Sequence, residues 1–171
     1  MLRQGGLLAH HTATLPGVAG NPNSPASIAK LIRFKQRSGP FLLLADSIAT
    51  AMSLARFHSP ELRRQARTVW PGAVTLMFAA RPGLPSCCYH KGMIAVRVDG
   101  SVQTRQLAAA CGGLVISSSL NRKGKKPSQS DLTYAMRLHR FGLTCLAGEA
   151  FSGKASSILR VWRNDSTIIR P

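Results

Sequence analysis

An α/β domain built on a mixed sheet is what this sequence predicts, and three observations predict it. Apolar runs of strand length alternate with amphipathic stretches of helix length along the chain. Two strand-like runs, 73–80 and 93–98, are neighbours separated only by a loop containing Pro, Gly and Cys, so the sheet is mixed rather than purely parallel. The 171 residues, 44% of them hydrophobic, suffice for one buried core and match a single domain of ~100–200 residues.

Residues 5–12 read as a short apolar strand that runs into a polar loop, punctuated by Gly and Pro, as far as Pro25. From Pro25 the helical spacing of Ile28, Leu31 and Ile32, with Ser24 as N-cap and Pro25 at the first helical position, predicts a helix that expires near Phe34. Lys35-Gln36-Arg37-Ser38-Gly39-Pro40 then leads into a continuous apolar run, 41–45, of buried-strand length. Helices follow at 47–56 and 59–69; Ser59, Pro60 and Glu61 supply a cap, a first-turn proline and an N-terminal acid to the second, from which Arg63, Arg64 and Arg67 project. Trp70-Pro71-Gly72 is a turn before the two neighbouring strands, and 102–111 is helical. The buried strand 114–117 ends in Ser118, Ser119 and Asn121, which gathers hydroxyls and an amide at a strand end, where ligands of such sheets collect. A helix at 131–139 and strands at 157–161 and 167–170 complete the chain.

Charge is the strongest compositional signal. There are 23 Lys and Arg against 6 Asp and Glu, a formal net charge of +17, and the sequence pI is near 11.4. Six carboxylates cannot neutralise these cations, so the surface favours nucleic acid, nucleotides or acidic headgroups. The cations run from Arg3 to Arg170, and a general solubility role stays open beside anion binding. Cys87, Cys88, Cys111 and Cys145 lack the paired spacing of structural zinc sites, and His10 and His11 have no acid at ligand spacing, so no metal site is expected. No secretory signal and no apolar run of ~20 residues is visible, which predicts a cytoplasmic protein with reduced thiols and no membrane partner.

Taken in order, several short pieces carry a resemblance. They are Gly6-Leu7-Leu8-Ala9 with Thr12 and Gly17, Lys35-Gln36-Arg37, Trp70-Pro71-Gly72-Ala73-Val74-Thr75, Ala95-Val96-Arg97-Val98, Ser117-Ser118-Ser119-Leu120-Asn121, Ser156-Ser157-Ile158 and Ile169-Arg170-Pro171. Together they resemble the successive signatures of the YrdC-type threonylcarbamoyl-AMP synthase family over essentially the whole chain, 1–171, without the family's N-terminal helix. The resemblance implies a twisted mixed sheet flanked by helices, with a basic concave cavity. It also implies an enzyme, a nucleotidyltransferase that makes L-threonylcarbamoyladenylate from L-threonine, bicarbonate and ATP for threonylcarbamoylation of tRNA position 37 (t6A). By resemblance Lys35 and Arg37 are catalytic; Thr12, Ser156 and Arg97 bind substrate; Ser117, Ser119, Asn121 and Arg170 bind ATP. ATP would enter with Mg²⁺, and tRNA, double-stranded RNA and tRNA-modification proteins are open as partners.

The chemistry suits these residues. Attack of an N-carboxylated threonine on the α-phosphate builds negative charge that a Lys point charge and a forked Arg stabilise. From the residues alone, Lys35 and Arg37 also read as solvated cations after a helix, and Ser117–Ser119 as a polar turn. The chain departs from the family where Ala13 and Pro16 replace an acid and an aromatic in the first loop. It departs again where Asp99-Gly100-Ser101 replaces a proline-containing turn and where Ala155 replaces a proline. A non-catalytic paralogue that binds nucleotide or RNA is the alternative these losses suggest, and a carbamoyl-transfer module like that of hydrogenase-maturation proteins is a third.

Overall fold

The computed structural model describes residues 1–121, 138–146 and 152–171; most of the helix expected at 131–139 lies outside them. The strands are β1 (Leu7–His10), β2 (Gly17–Gly20), β3 (Leu42–Ala45), β4 (Val74–Ala79), β5 (Tyr89–His90), β6 (Met93–Val98), β7 (Leu114–Ser119), β8 (Thr144–Cys145), β9 (Ser157–Trp162) and β10 (Asp165–Arg170). Among the described residues they form one ten-stranded sheet in the order β10-β9-β4-β6-β3-β7-β2-β1-β8, with β5 paired to β6. It is mixed, as expected: β4 with β9, β3 with β6 and β1 with β8 are parallel, and the other pairs are antiparallel.

Four helices, α1 (Pro25–Lys35), α2 (Ile48–Ser53), α3 (Pro60–Val69) and α4 (Val102–Ala110), share one starting device. Ser24, Ser47, Ser59 and Ser101 each accept a hydrogen bond from the backbone N–H three residues on, satisfying one of the donors a helix leaves open at its start. Gln36 ends α1 in the left-handed region, at φ 54°, and this reversal turns Arg37 back towards the sheet. Helix α2 stops at Ser53, short of the expected 56. The long loop expected from residue 12 to Pro25 is interrupted by β2, whose pattern of Gly-Val-Ala-Gly carries no strand signal of its own. It forms because β1 and β7 pair it on both sides. Gly20 is required there, since a Cβ would lie 2.6 Å from the Ser27 hydroxyl oxygen, itself bonded to the Gly6 carbonyl and the Asn21 N–H.

Strand alternation gives the two faces different jobs. One presents Leu7, Ala9, Val18, Leu43, Ala45, Val96 and Leu76 to Leu31, Phe34, Ala51, Leu62 and Ala66 of the first three helices, and this is the main core. Leu31 and Leu43 are fully buried, and each such side chain removed from water stabilises the fold by about 1.5–3 kcal/mol. The indole of Trp70 donates to the Val74 carbonyl at 2.8 Å, fastening the end of α3 to β4. The other face is apolar only where α4 covers it, through Leu8, Ala19, Leu44, Val115 and Ala108. Beyond that patch the face carries the polar residues His10, Ser117, Ser119, Arg97 and Thr75, with apolar neighbours such as Met77 and Ile158.

Candidate active site

The register identifies that polar face residue by residue. His10 lies opposite Gly17, Gly17 opposite Ser119, Ser117 opposite Leu42, and Leu44 opposite Arg97. Thr75 lies opposite Ile158, and Ile158 opposite Arg170. Cross-strand partners share a face, so His10, Ser117, Ser119, Arg97, Thr75 and Arg170 stand on the side that carries α4.

Lys35 and Arg37 arrive from the opposite layer, around the C-terminal end of β7. The Lys35 ammonium donates to the backbone carbonyls of Ser119 and Asn121. Arg37 donates to the Ser118 hydroxyl at 3.4 Å and to the Pro40 carbonyl at 3.0 Å, and its guanidinium lies 4.7 Å over the Phe41 ring. Burial lowers its pKa from the ordinary arginine value. The structure thus brings together the early cations and the Ser117–Asn121 strand end, segments more than eighty positions apart.

A second cluster sits under the first loop. The Thr12 hydroxyl donates to the Leu15 carbonyl at 2.8 Å and lies 3.0 Å from the Thr14 hydroxyl, and it accepts from the Thr14 and Leu15 N–H groups, which makes a closed local turn. Arg97, 3% exposed, donates to the Thr14 hydroxyl at 2.7 Å and pairs with Asp99 at 2.8 Å, and Asp99 is wholly buried. Burial lowers the Arg97 pKa, Asp99 raises it, and nearby Arg170 lowers it further. Arg97 therefore stands beneath the loop rather than on an open surface. Asp99 also accepts from the backbone N–H of Ala13 and of Ser101, both at 2.9 Å.

Ser156 and Arg170 form the third group. Arg170 donates twice to the Ser156 carbonyl, at 2.9 and 2.6 Å, and once to its hydroxyl at 3.1 Å, while that hydroxyl lies 3.0 Å from the Thr75 hydroxyl. His10 links the groups: its Nε2 lies 3.3 Å from the Ser117 hydroxyl, and it senses the charges of Asp99 and Arg97. Burial is the main cause that lowers its pKa to about 4, so it is neutral at pH 7. Gly17 lets it approach, because a Cβ there would meet Nε2 at 3.1 Å and the Ser117 hydroxyl at 3.2 Å.

His10 ends β1 and is buried. Sequence reasoning did not assign Thr14, Thr75, His10 or Asp99 to the site. Asp99 carried the available signal: in a chain with six acids, one placed two residues after a candidate strand arginine is a natural internal counterion. Among the described residues no three or more His, Cys, Asp or Glu side chains are placed to hold a metal ion. The described helices include none long and apolar enough to cross a membrane. A cleft of about 510 Å³ lies elsewhere, lined by Lys30, Arg33, Gln36, Arg140 and Phe141 among others, and none of the predicted site residues lines it.

Comparison with known proteins identifies the family and the fold. The model of the Sua5/YciO/YrdC family, described as telomere recombination, matches residues 1–171. A threonylcarbamoyl-AMP synthase of Chromohalobacter salexigens is 37% identical over 136 residues, covering 75% of this chain and 71% of that protein. One from Alkalilimnicola ehrlichii is 32% identical over 139 residues, covering 80% and 73%. The crystal structure of P. abyssi Sua5 complexed with L-threonine superimposes with a TM-score of 0.88 at 21% identity; it covers 99% of this chain, which spans only 51% of that longer protein. With residues 1–171 matched by one family model and these relatives 37% and 32% identical over the aligned 136 and 139 residues, the chain belongs to the Sua5/YciO/YrdC family.

Proposed function

We propose that this chain is a threonylcarbamoyl-AMP synthase, joining L-threonine, bicarbonate and ATP into L-threonylcarbamoyladenylate and pyrophosphate for t6A formation in tRNA. The observation that carries the reading is the meeting of Lys35 and Arg37 with the Ser117–Asn121 strand end, in a chain whose relatives bear that name. The Lys35 ammonium is held at the end of β7 by the Ser119 and Asn121 carbonyls. It and the Arg37 fork then face the α-phosphate as the carbamate oxygen attacks and pyrophosphate leaves, and they stabilise the charge that develops. Ser117, Ser119, Asn121 and Arg170 hold the nucleotide through hydroxyl, amide and guanidinium groups. Thr12 and Ser156 receive the threonine, and Arg97 acts on it through Thr14. ATP enters with its Mg²⁺, held mainly by the phosphates.

The test is pyrophosphate release. Turnover that requires threonine and bicarbonate together is the expected result. ATP binding without threonine-dependent turnover would instead identify a non-catalytic paralogue.

RNA is a further partner in this reading, favoured by the +17 charge and by the exposed cations of the 510 Å³ cleft, Lys30, Arg33 and Arg140. Affinity for tRNA should fall steeply with salt, because each neutralised phosphate releases counterions. Salt-insensitive binding would remove RNA from the account.

A further inference from the structure

Two departures from the family pattern, Ala13 in place of the first-loop acid and Asp99-Gly100-Ser101 in place of a proline-containing turn, look independent in the sequence because 86 positions separate Ala13 from Asp99. In the structure they touch. The Ala13 N–H donates to Asp99 Oδ1 at 2.9 Å, and a Cβ built on Gly100 would lie 3.4 Å from the Ala13 Cβ. The other Asp99 oxygen pairs with Arg97, which holds the Thr14 hydroxyl, which in turn lies against the Thr12 hydroxyl.

We infer that Asp99 is the positioning carboxylate of the threonine-binding loop, supplied from the turn after β6 in place of the acid the loop itself lacks at Ala13. Three facts support the exchange. Arg97 is buried, and a buried guanidinium requires a counterion nearby. Asp99 satisfies it and uses its second oxygen on the backbone of the loop and of the α4 cap, through Ala13 and Ser101. Gly100, exposed and without a side chain, leaves room beside position 13. Asp99 touches neither nucleotide-facing group, so its influence on the reaction runs through Thr14 and Thr12 to threonine. The inference rests on the synthase reading for its kinetic consequences, while the loop geometry itself is accessible without turnover.

The experiment compares wild type, Asp99→Asn, Ala13→Asp and the double variant Asp99→Asn/Ala13→Asp. Threonine KM should rise about tenfold or more in Asp99→Asn, the scale of one lost charged contact, with ATP KM nearly unchanged, and the double variant should recover most of that loss. Hydrogen exchange at the Ala13 amide, measured without substrates, should quicken in Asp99→Asn relative to wild type. An unchanged threonine KM in folded Asp99→Asn, or a double variant no better than it, overturns the inference. Should Asp99→Asn not fold, Thr14→Val carries the test: it leaves the ion pair intact and must still raise threonine KM, and an unchanged value contradicts the proposal. If wild type shows no threonine-dependent turnover, the synthase reading fails, and the exchange rate alone then decides whether Asp99 orders the loop.

Discussion

Lys35 and Arg97 are both nearly buried cations near the same sheet face, yet they are held in different ways. Lys35 reaches two backbone carbonyls at the end of β7, whereas Arg97 is matched by a carboxylate and a hydroxyl. A carboxylate partner neutralises Arg97 and makes it a structural peg, while the two carbonyls fix where the Lys35 ammonium sits. Similar burial thus goes with different fastening: Arg97 is tied to side chains of its own turn and of the first loop, Lys35 to the backbone at a strand end.

Breaking the peg should give the largest effect. Arg97→Met leaves Asp99 buried without its counterion and should destabilise the fold by about 3–5 kcal/mol, read by denaturant titration; a loss below about 1 kcal/mol would mean the pair matters little. Next in size is the pH dependence of His10. Its folded pKa, lowered to about 4 from 6.5, means the unfolded chain binds the proton first on acidification. Stability from this group is therefore fully present above about pH 6.5 and falls by about 3 kcal/mol as the pH drops to about 4. A His10→Gln variant should lose that slope, and a slope that persists would assign it to other groups. Smaller again, Lys35→Ala and Arg37→Ala should each slow threonine-dependent pyrophosphate release through the loss of about 1.5–3 kcal/mol. The smallest expected change is in helix α1, where Ser24→Ala should remove its cap and about 1 kcal/mol of stability without altering turnover.

What the sequence made legible follows from how local each feature is. The Ser24 and Ser59 caps, the end of α1 and the apolar runs of β3, β6 and β7 depend on neighbouring residues, and their positions follow from the sequence to within a few residues. Strand β2 was hidden because a Gly-Val-Ala-Gly segment becomes a strand only through partners on β1 and β7. The two-residue β5 and β8 were hidden for the same reason. The meeting of Lys35 with Asn121 could be expected only through the family resemblance, since nothing local to either residue points to the other. Least visible was the Asp99 network, whose bonds to Ala13 and from Arg97 to Thr14 span 86 and 83 positions.

The contrast between the two cations is tested most directly by titrating ATP into wild type, Lys35→Ala and Asp99→Asn. A Kd raised about tenfold or more in Lys35→Ala, with Asp99→Asn close to wild type, is the predicted result. Equal ATP affinity in wild type and Lys35→Ala would contradict the account, because the cation at the end of β7 would then not be facing the nucleotide.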